Sequence, residues 1–169
     1  MPDDRTLVLM GVSGSGKSTV AGVLAGQLGW DLAEGDDMHP AANVAKMAAD
    51  HPLTDEDRWP WLDRVAGWIR AHTEAGRPGV ITCSALRRSY RDVLRGERVV
   101  FVLLAGEFEQ IKARLSARHG HFMPADLLQS QFDTLEPLGP DECALSVDIG
   151  PSPTELAEEI IKRLRLVAA

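Results

Sequence analysis

Gly11-Val12-Ser13-Gly14-Ser15-Gly16-Lys17-Ser18 lies between an apolar run, Arg5 to Met10, and a stretch from Thr19 to Leu28 that reads as a helix. The octapeptide fits G-x-x-x-x-G-K-[ST] at every fixed position, and a strand, a glycine-rich turn and a helix are the setting that motif needs. Glycines let backbone N–H groups approach phosphate oxygens closely, and the helix N-terminus adds partial positive charge. In such a loop Lys17 reaches the outer phosphates and the Ser18 hydroxyl ligates Mg²⁺. The contacts expected with a bound nucleotide are therefore Gly11, Val12, Ser13, Gly14, Ser15, Gly16, Lys17, Ser18 and Thr19.

Working outward, strand-like runs recur at Trp30–Ala33, Gly79–Cys83, Val99–Leu104 and Leu145–Ile149. Helical patterns fall between and after them, at Asp57–Ala75, Arg88–Arg95, Phe108–Arg118, Ala125–Leu135 and Pro153–Leu166, the last with Ser152 or Thr154 as its cap. The uniform apolarity of the first and fourth strand-like runs predicts strands covered on both faces. Alternation of this kind predicts a parallel α/β sheet with ligands at the carboxyl ends of its strands.

At 169 residues the chain has the size of one domain, 1–169, without a repeat or linker to divide it. A net charge of −7 argues against a general affinity for nucleic acid or anionic membranes. Positive charge is concentrated in Arg87–Arg98 and Lys112–His121, which suits a small anionic ligand. Cys83 and Cys143 lie far apart, with neither zinc spacing nor a disulfide framework. There is no basic and apolar leader, and no apolar stretch approaches the roughly 18 residues of a membrane span, so the expectation is a cytoplasmic protein.

Three carboxylates in Glu34-Gly35-Asp36-Asp37 follow the second strand-like run. Phosphoryl transfer needs groups that position metal and phosphates, and one carboxylate that takes the proton of the attacking hydroxyl. Asp36 is the candidate base, and Glu34 a candidate for holding Mg²⁺ through water. The alternative is a polar turn in which Asp37 caps the next helix. His39 is read either as a contact to a hydroxylated substrate or as a helix cap. Asn43 and Lys46, three apart on a helix, share a face that addresses substrate or solvent.

From Asp36 onward the chain resembles the gluconokinase family, relatives of shikimate kinase among the P-loop phosphotransferases. The matching blocks are GVSGSGKST (Gly11–Thr19), GDDMHPAANVAKM (Gly35–Met47), PLTDEDRWPWL (Pro52–Leu62), CSALRRSYRDVLR (Cys83–Arg95) and HFMPADLLQSQFDTLE (His121–Glu136). The resemblance implies a three-layer α/β/α P-loop fold with a five-stranded parallel sheet, a helical substrate-binding region and a mobile lid over roughly 112–126. It implies transfer of the γ-phosphoryl group of Mg·ATP to the 6-hydroxyl of D-gluconate, in an enzyme that is often a homodimer. Where the family commonly has Asp-Gly-Asp this chain has Glu34-Gly35-Asp36, and where it often has glycine this chain has Asp50.

Gluconate is a small polyhydroxylated monoanion, so its site needs a cation and several hydrogen-bonding groups. Arg58 suits bidentate recognition of the carboxylate, with an ion pair to the adjacent acids as the alternative. Trp59 and Trp61 wall the site or anchor the core, and Tyr90 is expected to pack. Arg87 is near enough to a strand end to reach an anion, whereas Arg91 and Arg95 are expected to be solvated or paired with Asp92 and Glu97. Arg118 is assigned to the phosphates as a catalytic group beside Lys17 and Asp36, and Arg114 to the nucleotide. His121 and Gln131 touch substrate or order the lid. The competing readings are another small-metabolite kinase, acting on shikimate or a nucleotide, and a GTP switch. The switch lacks the D-x-x-G and N-K-x-D motifs it needs.

Overall fold

Thr6–Met10 (β1) is buried along its whole length, and its side chains divide between two cores. Leu7 and Leu9 enter one, Val8 and Met10 the other. A continuous apolar strand requires such two-sided cover. In this computed structural model, which describes residues 2–117 and 125–169, β1 is the middle strand of a five-stranded sheet. Asp31–Glu34 (β2), Gly79–Thr82 (β3), Val99–Ala105 (β4) and Ala144–Asp148 (β5) complete it, all parallel, in the order β2-β3-β1-β4-β5. Every carboxyl end therefore opens on the same edge, with the chain leaving β1 at its centre.

Lys17–Leu28 (α1) and Pro153–Leu164 (α7) pack together over the first core, and Asp55–Ala75 (α3) and Arg88–Leu94 (α4) over the second. Ala41–Ala48 (α2), Phe108–Ser116 (α5) and Ala125–Thr134 (α6) complete the described helices. Trp61, Leu62, Val65, Ala66 and Ile69 form the buried stripe of α3. Each of its large aliphatic side chains contributes about 1.5–3 kcal/mol by leaving water. The helix starts at Asp55, two residues before the expected Asp57, because Thr54 and Asp57 form a reciprocal capping box. Ser152 rather than Thr154 caps α7, which stops at Leu164 as Arg165 turns left-handed.

Arg91 departs from expectation. It is 1% exposed, and its guanidinium donates to both carboxylate oxygens of Glu142 at 2.7 and 3.1 Å. It also donates to the carbonyls of Ala85, Leu86, Glu136 and Pro137. Burial works to raise the Glu142 carboxyl, but hydrogen bonds from Arg91 and the Gly139 N–H outweigh it and hold the group below its ordinary value. Arg95 does pair with Asp92, at 3.3 Å on the surface. Helical spacing placed Arg91 and Arg95 together; only the packing of β5 and the segment before it separates a buried clamp from a surface pair.

Candidate functional site

The chain leaves β1 into a loop in which Gly11, Gly14 and Gly16 take φ of +143°, +81° and +94°. Gly14 has no room for a side chain, since a Cβ there would lie 2.7 Å from Leu115 Cγ of α5. The loop feeds α1 directly, with Gly16 as its N-cap and Lys17 as its first residue. The Lys17 ammonium donates to the carbonyls of Gly11 and Val12, at 2.9 and 3.0 Å. The Ser15 hydroxyl is wholly buried and has no hydrogen-bond partner among the described residues. Left-handed glycines, a helix N-terminus and a lysine folded along the loop make a cradle that fits nucleotide phosphates.

Beside the cradle, strand register brings Glu34 of β2 opposite Thr82 of β3. One Glu34 oxygen accepts from Ser18 Oγ at 3.0 Å and from Thr82 Oγ1 at 2.5 Å, and the Gly35 N–H donates to the same threonine oxygen at 3.3 Å. A Cβ on Gly35 would fall 2.2 Å from the Thr82 carbonyl, so this tight crossing admits only glycine. A hydroxyl and one carboxylate beside a phosphate cradle suit Mg²⁺, which takes few protein ligands and keeps several waters. Gly35–Met38 then forms a 3-10 turn that leaves Asp36 and Asp37 exposed. Asp37 caps nothing: Pro40 stands at the start of α2, without a side-chain cap bond.

His39 stacks on Trp61, with ring centroids 4.3 Å apart, and Trp61 Nε1 donates to the Gly35 carbonyl at 2.7 Å. Trp61 is thus a core anchor that also holds the acidic turn in place. Asn43 is buried, and its amide nitrogen lies 2.9 Å from the Asp57 carbonyl and 3.2 Å from His39 Nδ1. Lys46, expected on the substrate side, is held in an ion pair with Asp57 at 2.7 Å. That ammonium, with help from Thr54, holds the Asp57 carboxyl down at about 2. The shared face of Asn43 and Lys46 therefore grips the start of α3. Burial pushes the His39 imidazole below its ordinary value, with Asp36 opposing and Arg58 reinforcing the shift.

Arg58 donates to the Tyr90 hydroxyl at 3.1 Å, and that hydroxyl donates to Asp55 at 2.5 Å. Tyr90 does pack, as expected, but it also orients a half-exposed arginine, and neither it nor Asp55 stood out by composition or spacing. Thr82 was missed as well, although a threonine ending an apolar strand beside the acidic turn was the available signal. Arg87 is exposed at the start of α4. Arg114 donates to the Ile149 carbonyl just past β5, and its guanidinium would lie 3.9 Å from a Cβ on Gly16, against the phosphate loop. Arg118 and His121, with residues 118–124 of the expected lid, lie outside the described residues.

Three separated sequence blocks meet at the loop. Gln131 of α6 accepts from the Ser13 N–H at 2.7 Å and donates to Ser13 Oγ at 3.1 Å. The Gly11 N–H donates to the Ser84 carbonyl at 3.3 Å, and the Glu136 N–H to the Leu86 carbonyl at 2.7 Å. Gln131, expected at substrate or lid, is placed on the phosphate loop itself.

Known proteins resemble this chain along most of its length. Residues 7–138 match the family described as AAA domain. A gluconokinase from Gluconobacter oxydans is 49% identical over 163 residues, covering 95% of this chain and 92% of its own. The crystal structure of a sugar kinase from Janibacter sp. HTCC2649 superposes with a TM-score of 0.90 at 50% identity, covering 99% of both chains. That of a gluconokinase from Sinorhizobium meliloti 1021 superposes with a TM-score of 0.88 at 40% identity, covering 98% of this chain and 94% of its own.

Proposed function

The chain belongs to the gluconokinase family of P-loop kinases, and from that membership we propose how its residues divide the reaction. The reaction is transfer of the γ-phosphoryl group of ATP to the 6-hydroxyl of D-gluconate, giving 6-phosphogluconate and ADP. The loop Gly11–Thr19 holds the phosphates through backbone N–H groups, and Lys17 neutralises charge on the outer ones. Arg114, lying along the loop, takes the nucleotide. Ser18 and Glu34 would hold Mg²⁺, which when bound would neutralise phosphate charge. Asp36 accepts the hydroxyl proton as the new O–P bond forms and the bond to the leaving ADP oxygen breaks. Arg58, oriented by Tyr90 and Asp55, takes the gluconate carboxylate, with Arg87 and His39 as further contacts. Lys46 supports this side indirectly through Asp57. Arg118 takes the phosphates and His121 the substrate, within a lid over 112–126.

The observation that carries the reading is the Ser18–Glu34 hydrogen bond at 3.0 Å, which joins the phosphate loop to the acidic turn bearing Asp36. We place the enzyme in the cytoplasm as a homodimer. Among the described residues no helix is long and apolar enough to cross a membrane. ADP release from Mg·ATP with D-gluconate, shikimate, nucleoside monophosphates or no acceptor tests the whole assignment. Release with gluconate alone is expected. Release with another acceptor would keep the nucleotide site and remove the gluconate contacts, and release without any acceptor would point to an ATPase.

A further inference from the structure

Asn43 carries a chemical instruction that the kinase reaction alone does not assign. Its side-chain nitrogen lies 2.9 Å from the Asp57 backbone carbonyl, which can only accept. The atom at that distance must therefore be the amide NH₂, which sets the orientation of the whole side chain. The same nitrogen is 3.2 Å from His39 Nδ1, so its second proton is directed at that ring nitrogen. An N–H aimed at Nδ1 needs a lone pair there. The neutral imidazole must then carry its own proton on Nε2.

Rotation of this arrangement is opposed from three sides. Asn43 is buried at 3% exposure, and the Asp57 that receives it is tied to Lys46 and to the Thr54 capping box. The imidazole lies flat on Trp61, tilted by only 15°, and Trp61 is anchored to the Gly35 carbonyl. His39 is close enough to both the Asp36 carboxylate and the Arg58 guanidinium to feel their charges. Among the described residues Nε2 has no hydrogen-bond partner.

We propose that Asn43 is a positioning residue that holds His39 in its Nε2–H tautomer, making the imidazole a fixed hydrogen-bond donor to an oxygen of the polyhydroxylated monoanion. This rests on the gluconate reading, with Asp36 and Arg58 both close enough to His39 to act on its charge. A donor suits that place. The carboxylate at Asp36 only accepts, so a polyol needs a separate donor to set which hydroxyl is presented to the base. Selectivity among sugar acids follows, because a fixed donor without its partner oxygen is left unsatisfied.

Nitrogen NMR of the whole protein tests both halves, with the His39 signals assigned by their loss in His39→Gln. The ligand-free enzyme should show Nδ1 as the unprotonated nitrogen and Nε2 as the protonated one; the reverse assignment would overturn the proposal. Adding gluconate should shift the Nε2–H resonance, whereas Mg·ATP alone should not. An unmoved resonance in a protein that releases ADP with gluconate would sink the donor role. Asn43→Asp replaces the donor with an acceptor and should move the proton to Nδ1. It should also raise the gluconate KM about tenfold with the ATP KM unchanged, the scale of one neutral hydrogen bond. A reversed tautomer with an unchanged gluconate KM would also refute it. Loss of gluconate-dependent ADP release in the wild type, with the tautomer as stated, would remove gluconate itself and so overturn the functional reading separately.

Discussion

Asp36 and Gln131 are both polar residues near the phosphate loop, yet their surroundings assign them to different kinetic constants. Asp36 sits exposed on a 3-10 turn held by Trp61, free to meet an incoming hydroxyl. Asp36→Asn should lower kcat by at least about 10²-fold, as loss of a positioned base does. Steady-state kinetics check this, and a change confined to the gluconate KM would make Asp36 a binding residue instead. Gln131 grips Ser13 through two hydrogen bonds. Gln131→Ala should raise the ATP KM by about tenfold or more, because it removes two neutral bonds worth about 0.5–1.5 kcal/mol each. A larger effect on the gluconate KM would return Gln131 to the substrate.

At the scale of elements, α2 shows how a short helix is held to its neighbours. Most of its residues are exposed, including Val44 and Met47, and its attachment runs through Asn43 and Lys46 to the first turn of α3. Its end is a Schellman turn: the His51 N–H reaches the Lys46 carbonyl and the Asp50 N–H the Met47 carbonyl. Asp50 takes φ of +60° there, at the position where the family often has glycine. Asp50→Gly should therefore stabilise the protein by about 0.5–1 kcal/mol, relief of left-handed strain outweighing the added chain entropy. A urea midpoint that rises at constant m supports this; a lower midpoint would mean that the Asp50 side chain contributes more than its backbone costs.

Across the whole molecule, Arg91 joins parts of the chain that spacing leaves unrelated. It holds the bend after β3, where Ala85 takes φ of +45°, against Glu142 and the residues following α6. The Ser84 carbonyl in that bend accepts from Gly11, and Glu136 binds back to Leu86. The clamp therefore underlies the phosphate loop without touching the reacting groups. Arg91→Met should cost about 3–5 kcal/mol by taking from buried Glu142 its two-pronged partner and leaving it only the more distant Arg88, at 3.5 Å. Arg91→Met with Glu142→Leu should recover part of that loss. Thermal and denaturant unfolding of the single and double variants measure both, and a single variant within about 1 kcal/mol of wild type would show that water reaches the pair.

The phosphate loop, the five strands and the P-loop kinase class were legible in the chain because they depend on local requirements. A glycine at positive φ, a lysine one residue into a helix and an unbroken apolar strand each leave a mark within a few residues. What the tertiary structure alone decided are partnerships between distant segments. Lys46 pairs with Asp57, Arg91 with Glu142, Gln131 with Ser13 and Thr82 with Glu34. Each polar side chain had solvent, a neighbour in sequence or a ligand as equally reasonable partners. The choice among them follows from strand order and register, which bring Glu34 beside Thr82 and the ends of all five strands to one edge. Burial then makes that choice binding, because a charge or an amide removed from water must be satisfied by whatever the fold has placed within reach.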